Sequence, residues 1–234
     1  MNWMIKTGNF LFKFRSFTPI PLIVLVFILF KPIDMGEKNN LWPALGGLIL
    51  SVLGEIIRIL AVGFSFQGTS GRENYLRADN LNTTGIYSVV RNPLYIGNYF
   101  IFAGLVIVFF NPAAFLLFSF FLIVQYYFII LAEEHFLKQT YPEKYPFYLE
   151  RVSRIIPHFN SYIKNRNPFD SRKVLFKEND SVFNMLMVFI FVLAYKERLL
   201  NGKIENPLYY IIAGVGLIIV YIIVKVFKKF SIKL

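Results

Sequence analysis

Apolar runs separated by polar stretches dominate the chain and predict a bundle of membrane-spanning helices. The runs cover residues 18–31, 41–66, 95–110, 113–132, 181–196 and 207–227. A helix needs about 20 apolar residues to cross a bilayer, so the short fifth run could instead be re-entrant. The pattern predicts an all-α integral membrane protein with about six transmembrane helices (five to six). The short connector Asn111-Pro112 predicts a tight antiparallel hairpin.

The composition agrees with a membrane protein and excludes several chemistries. Apolar residues make up 56% of the chain and charged residues 17%, with a net charge of +11. The chain has no Cys and two His, so disulfides, a Cys nucleophile and a His-rich metal centre are not expected. In such a chain the excess of basic residues indicates contact with the headgroups of a membrane and no nucleic-acid partner.

The distribution of Lys and Arg predicts the orientation. With six spans and a cytoplasmic N-terminus, 19 basic residues lie in cytoplasmic segments, five lie outside, and Arg58 lies within a span. This bias predicts that both termini and the polar stretches 67–94 and 133–180 are cytoplasmic. Residues 1–17 mix aromatic and basic side chains and are expected to form an interfacial segment that remains in the mature chain.

Two charged residues interrupt the second apolar run. Glu55 and Arg58 are three positions apart and can pair on one helical face. Charges within a membrane are candidates for function. Alternatively, Arg58 reaches the cytoplasmic interface and Glu55 neutralises it.

The most unusual segment is 81–97, LNTTGIYSVVRNPLYIG. It contains turn residues at Thr84-Gly85 and at Asn92-Pro93, and Pro93 suits the first position of a helix. It also places Tyr87, Arg91 and Tyr95 at the mouth of a span. From composition alone, these side chains could form either a binding cluster or an ordinary interfacial belt.

A second polar cluster is expected at the same membrane face. Glu133 and Glu134 end the fourth apolar run, where the helix dipole disfavours carboxylates, so they require a cationic or hydroxyl partner such as Arg91. The following segment contains Arg151 and Arg154 and on its own is typical of an amphipathic, solvated surface.

In combination, these pieces resemble the membrane methyltransferase superfamily, which includes isoprenylcysteine carboxyl methyltransferase and phospholipid N-methyltransferase. The shared pattern is T-G-x-Y-x-x-x-R-[HN]-P-x-Y-x-G, a hairpin, E-E-x-x-L and Y-x-x-Y-x-x-x-V-x-R-x-x-P. The matching residues are Thr84, Gly85, Tyr87, Arg91, Asn92, Pro93, Tyr95, Gly97, Glu133, Glu134, Leu137, Tyr145, Tyr148, Val152, Arg154 and Pro157. The resemblance implies a methyltransferase core at 67–160, between an N-terminal part at 1–66 and C-terminal helices at 161–234.

The resemblance implies S-adenosylmethionine as the methyl donor, in a cytoplasm-facing cofactor pocket. The residues implied in cofactor binding are Leu81, Asn82, Tyr87, Asn92, Pro93, Leu94, Tyr95 and Glu133. A lipid or isoprenoid acceptor would enter laterally between spans. Glu134 is the nearest candidate to take a proton from an amine acceptor, with Arg91 beside it. Arg151 and Arg154 are candidates to hold a lipid phosphate.

Two departures from the prenylcysteine branch bear on the acceptor. Asn92 stands where that branch has His, and Ile129 stands where it has an Arg that suits a substrate carboxylate. Because Ile129 cannot bind a carboxylate, we expect an amine or hydroxyl lipid head, with phosphatidylethanolamine as the simplest example.

Two other functions are considered. Membrane reductases of the steroid 5-alpha-reductase type, which use NADPH, share a similar R-H-P-x-Y-x-G element. They usually continue with an acidic residue, whereas this chain has Asn98. A non-enzymatic membrane protein built on the same helices is the remaining alternative. The oligomeric state is not indicated by the sequence.

Overall fold

The computed structural model describes residues 2–36, 41–66, 69 and 75–231, and the regular elements in this part of the chain are helices joined by loops. The helices are α1 (Asn2–Phe14), α2 (Pro19–Leu29), α3 (Leu41–Phe64), α4 (Ile86–Val89), α5 (Pro93–Phe109), α6 (Pro112–Thr140), α7 (Lys144–Arg151), α8 (Ser171–Asn201) and α9 (Pro207–Ser231), with a 3-10 turn at Phe159–Ser161. Among these residues no strand forms. Lys38, Arg72 and Lys233, which enter the charge count, lie outside the described residues.

The apolar helices confirm an all-α, multi-pass membrane protein. Three described helices, α3, α6 and α9, are long and apolar enough to cross a membrane. The pair α1 and α2 would add a fourth span, although the two helices are bent by 84° relative to each other. Helix α5 is apolar but has only 17 residues, and α8 is longer but less apolar. The total of five to six spans and the cytoplasmic termini stay predictions.

The hairpin expected at Asn111-Pro112 forms between α5 and α6. Phe110 ends α5 in the left-handed conformation, with φ at 57°. The Asn111 side chain then caps α6 by accepting a hydrogen bond from the Ala114 backbone N–H at 3.0 Å, and Pro112 occupies the first helical turn. Because of this tight reversal, Pro93 and the Glu133-Glu134 pair return to one end of the bundle, called here the site end.

Helices α3 and α5 approach each other closely at two pairs of glycines. A Cβ added to Gly47 would meet the Gly104 carbonyl oxygen, and one added to Gly54 would meet the Gly97 carbonyl oxygen. Between these pairs, the Ser51 hydroxyl donates to the Ile101 carbonyl oxygen at 3.0 Å. Small residues allow this close contact between the backbones. Such packing is common in membranes, where lipid is as apolar as the helices and the hydrophobic effect does not drive the helices together.

Helix α8 packs against both α3 and α5 and carries α9 on its outer side. It begins where the Asp170 backbone N–H donates to the Gly63 carbonyl oxygen, at the site end. Near its other end, Tyr195 stacks with Phe109 of α5. Helix α8 therefore extends from the site end to the end of α5 at Phe109, and it starts ten residues before the predicted apolar run at 181.

The glycine contact between α3 and α5 yields a stability prediction. We expect Gly47→Val to reduce the free energy of unfolding by at least ~1–3 kcal/mol, because the new side chain overlaps the α5 backbone. Gly46→Val is the matched control, since nothing lies within 4 Å of a Cβ at that position. The measurement is unfolding in mixed detergent micelles, and equal losses in both variants would contradict the packing described.

Candidate functional site

The segment before α5 is held in a compact turn at the site end. Gly85 has φ at 62°, a conformation that favours glycine, and the Asn165 side chain occupies the space that a Cβ would need. The Ser88 hydroxyl donates to the Gly85 carbonyl oxygen at 2.7 Å, within the short helix α4 region. Tyr87, Asn92 and the first residues of α5 thereby face the interior of the bundle end.

Residues 144–163, called here the strap, lie across this turn and bind it through backbone hydrogen bonds. Arg91 N–H donates to the Ser153 carbonyl oxygen at 3.0 Å, and Gly85 N–H donates to that of Ile163 at 2.7 Å. The Asn92 amide donates to the Arg154 carbonyl oxygen at 3.0 Å. The strap therefore depends on the motif residues for its own backbone pairing.

Two tyrosines of the strap reinforce the contact. Tyr148 is buried, and its hydroxyl donates to the Tyr87 carbonyl oxygen at 2.7 Å. Tyr145 is also buried and packs beside Tyr148, with ring centroids 5.9 Å apart. Burial raises the pKa of both phenols above its usual range, so they stay neutral and Tyr148 keeps its donor proton.

An ion triad centred on the buried Glu134 carboxylate fastens α6 to both segments. Glu134 Oε1 lies 3.1 Å from Arg91 Nη2, and the two carboxylate oxygens lie 3.0 and 2.6 Å from Nε and Nη2 of Arg154. The hydrogen bonds that Arg154 donates to Glu134 raise the pKa of its guanidinium. The partner expected for the acidic pair is thus present at Glu134, and a second arginine, Arg154, joins it.

A cavity of about 860 Å³ opens beneath the turn and the strap. All the residues that the resemblance implied in cofactor binding line it: Leu81, Asn82, Tyr87, Asn92, Pro93, Leu94, Tyr95 and Glu133. Arg91 and Glu134 also contribute to its wall. Arg154 is turned towards Glu134 and Arg151 is exposed, so these two candidates lie outside the cavity. The roles given to all these residues stay predictions.

The polar part of the cavity surrounds the Glu133 carboxylate. The Tyr95 hydroxyl and the positive charge of Arg15, at the corner between α1 and α2, both act electrostatically on this carboxylate. The Tyr95 ring packs against Tyr126, with centroids 5.0 Å apart. Asn82 closes another side, since its amide oxygen accepts from the Phe66 N–H at 2.9 Å.

The other part of the cavity is apolar and extends between α2, α5 and α8. Its wall is formed by aliphatic, aromatic and thioether side chains: Ile20, Ile23, Val24, Phe27, Ile101, Phe102, Leu105, Met185, Val188 and Phe191. Phe191 is 59% exposed on the outside of the bundle, so the apolar part reaches the lipid-facing surface. The cavity therefore joins a polar end to an apolar end.

A second charge network lies on the wall between these ends. Arg58 of α3 donates from Nε and Nη2 to Glu178 Oε2 of α8, at 2.9 and 2.6 Å, and from Nη1 to the Asn98 amide oxygen. Glu55, the partner suggested by sequence, is 4.0 Å from Arg58 and accepts a hydrogen bond from Ser181. Sequence spacing alone could not reveal Glu178, because it lies 120 positions away from Arg58.

Sequence reasoning also missed several cavity residues. Arg15 and Asn98 both line the cavity. The sequence indicated only an interfacial segment around Arg15, and Asn98 entered only as a difference from the reductases, which usually have an acidic residue there. Asn98 follows Tyr95 by one helical turn, so its spacing from the motif could have identified it. No motif or spacing in the sequence pointed to Arg15 as a cavity residue.

The motif turn, the acidic pair and the strap together enclose the cavity. Comparisons with known proteins show that the chain is similar to methyltransferases. Residues 43–144 match the family described as phospholipid methyltransferase. Protein-S-isoprenylcysteine O-methyltransferases A and B of Arabidopsis thaliana are each 33% identical to this chain, over 128 and 130 residues. These matches cover 53% of this chain and 64% of each relative.

A third relative lies outside plants. The protein-S-isoprenylcysteine O-methyltransferase of Tribolium castaneum is 30% identical over 131 residues, which cover 54% of this chain and 46% of that protein. No solved structure matches the chain. These findings confirm the resemblance to the membrane methyltransferase superfamily.

The ion triad yields a second stability prediction. Glu134→Ala should cost on the order of 3–5 kcal/mol of unfolding free energy, because it leaves two arginines without their buried carboxylate. Glu143→Ala, at an exposed position next to α7, is the control and should change stability little. Thermal unfolding in detergent measures both, and a Glu134→Ala variant as stable as the control would contradict the triad.

Proposed function

We propose that the protein transfers a methyl group from S-adenosylmethionine to a lipid-like, isoprenoid acceptor in the membrane. One observation carries the proposal: the motif residues and Glu133 line the polar end of a cavity whose other end is apolar and reaches the lipid-facing surface. Such a cavity suits a polar methyl donor at one end and an apolar acceptor at the other.

The residues at the polar end fit the donor. The cavity volume of about 860 Å³ lies within the ~300–1,000 Å³ typical of ligand sites. A carboxylate at Glu133 and the aromatic face of Tyr95 suit a cationic sulfonium compound, and the side-chain amides of Asn82 and Asn92 offer hydrogen bonds to its polar groups. When bound, S-adenosylmethionine supplies an electrophilic methyl group: the acceptor atom bonds to its carbon as the carbon–sulfur bond breaks, and the electron pair stays on sulfur.

The contribution of the protein is then mainly to position and desolvate the two reactants. Tyr87, Pro93 and Leu94 would shape the donor site, with the strap excluding water above it. Both oxygens of Glu134 are engaged by guanidinium groups. We therefore assign Glu134 and Arg91 a positioning role, holding the turn and the strap together, in preference to the proton-accepting role first considered for Glu134.

The named relatives favour an isoprenoid acceptor over an amine lipid, and both the relatives and the matching family favour methyl transfer over reduction or a non-enzymatic role. The relatives are named as O-methyltransferases of protein-S-isoprenylcysteine. The chain spans about two thirds of the length of the Arabidopsis proteins, so their substrate is carried over here as a proposal. The apolar end between α2 and α8 has the chemistry to take an isoprenoid chain from the bilayer, with the polar end facing the cytoplasm.

Donor binding is tested by titration of purified protein with S-adenosylmethionine. Glu133→Ala and Tyr95→Ala should each weaken binding by on the order of 1–3 kcal/mol, because each removes a charged or aromatic partner of the cation. Glu205→Ala, just before α9, and Tyr209→Ala, on α9, change exposed residues and are the matched controls. Both variants should bind S-adenosylmethionine as the unmodified protein does. Unchanged affinity in both site variants would contradict the assignment.

The acceptor is tested by radiolabelled methyl transfer. We expect the reconstituted protein to methylate a farnesylcysteine analogue more readily than any component of a membrane lipid extract, because the apolar end suits an isoprenoid and the relatives act on isoprenylcysteine. A parallel titration with NADPH should show no binding. Methylation of phosphatidylethanolamine alone would contradict the isoprenoid assignment, and binding of NADPH without S-adenosylmethionine would overturn methyl transfer itself.

A further inference from the structure

The polar head of the acceptor in the proposed reaction needs a partner, and the cavity wall contains four arginines, Arg15, Arg58, Arg77 and Arg91. An isoprenylcysteine acceptor that is methylated on oxygen presents a carboxylate beside its apolar chain. Helix α6 offers no cation one turn before Glu133, since that position is Ile129, whose side chain is fully buried in the apolar core. A carboxylate brought into a water-poor cavity requires a charged or hydrogen-bonding partner.

The order of cavity residues along α5 shows where the head must lie. Tyr95 belongs to the polar end, Asn98 follows one turn later, and Ile101 and Leu105 continue into the apolar end. Asn98 accepts a hydrogen bond from Arg58 Nη1. Arg58 therefore lies at the junction between the donor end and the apolar end, which is where the head of an acceptor with a buried chain would be.

Arg58 has the capacity to bind an anion at this junction. Its guanidinium has five N–H groups, of which the hydrogen bonds to Glu178 and Asn98 use three. One N–H on each terminal nitrogen remains, and the side chain is 16% exposed. A planar pair of terminal nitrogens matches the two oxygens of a carboxylate.

The two carboxylates that contact Arg58, those of Glu55 and Glu178, do not face the cavity. Glu55 and Glu178 are 4% and 3% exposed, and neither lines the cavity, whereas Arg58 and Asn98 do. Glu178 holds Nε and Nη2 from α8, and the close approach of α5 at Gly97 packs against the Arg58 Cγ. The guanidinium is thus fixed from one side and presented to the cavity on the other.

We propose that Arg58 binds the carboxylate head of the acceptor and takes the place of the cation that Ile129 does not supply. This inference rests on the proposed function. Because a carboxylate oxygen that accepts a methyl group has no proton to lose, the site needs a group that orients an anion and no general base. Glu178 acts through Arg58 as a positioning residue.

The test compares binding of a farnesylcysteine analogue that has a free carboxylate with its carboxamide, in lipid nanodiscs without methyl donor. The unmodified protein should prefer the carboxylate by on the order of tenfold or more, the contribution of one charge-assisted hydrogen bond. The double variant Arg58→Gln, Glu178→Gln replaces the ion pair by neutral amides of similar shape, so it avoids an unpaired buried charge. Its preference should fall to nearly one.

Glu178→Gln alone distinguishes binding from a merely structural role. It removes the neutralising charge behind Arg58, so the carboxylate preference should rise several-fold, while loss of a structural contact would lower affinity for both ligands equally. Arg198→Gln, at an exposed position near the end of α8, is the control and should leave the preference unchanged.

The outcomes separate this inference from the proposed function. A carboxylate preference that is absent in the unmodified protein, or that persists in the double variant, overturns the role of Arg58. Methyl transfer to the analogue in either case would still support the proposed function. Failure of the unmodified protein to bind S-adenosylmethionine would instead overturn the proposed function, even if the carboxylate preference followed Arg58.

Discussion

The close contact between α3 and α5 is the constraint on which the cavity depends. At Gly54 and Gly97 the two backbones approach within the space of a methyl group, so Arg58 of α3 lies directly against α5 and reaches Asn98. A larger residue at Gly97 would displace the Arg58 side chain that it now packs against. The position of the charged groups on the polar wall therefore depends on the two glycines as much as on the charged residues themselves.

The site end is closed by groups that satisfy one another. The strap pairs with the motif turn through its backbone, and Glu134 bridges Arg91 and Arg154 from a third segment. Buried charges are expensive unless they are paired and hydrogen-bonded, so each member depends on the others. This mutual dependence holds a polar cavity together at the end of an apolar bundle, where packing alone would leave the loops without support.

The sequence predicted those features that are encoded locally. The apolar run 95–110 corresponds closely to Pro93–Phe109, and the motif spacing brought Arg91 and Glu134 together because a two-residue connector returns α6 beside α5. The run 113–132 predicted too short a helix, since polar residues as far as Thr140 continue α6. The Arg58–Glu178 pair could not be predicted, because hydropathy does not show which face of α8 meets α3.

The Arg58–Glu178 bond also joins two parts of the chain that can be altered separately. The region matched to the phospholipid methyltransferase family ends at residue 144, whereas Glu178 belongs to a helix that begins at Ser171. The residue that fixes Arg58 on the cavity wall therefore lies outside the matched region. A substitution in α8 can change the hydrogen bonding of Arg58 while every residue of the segment 81–97 stays the same.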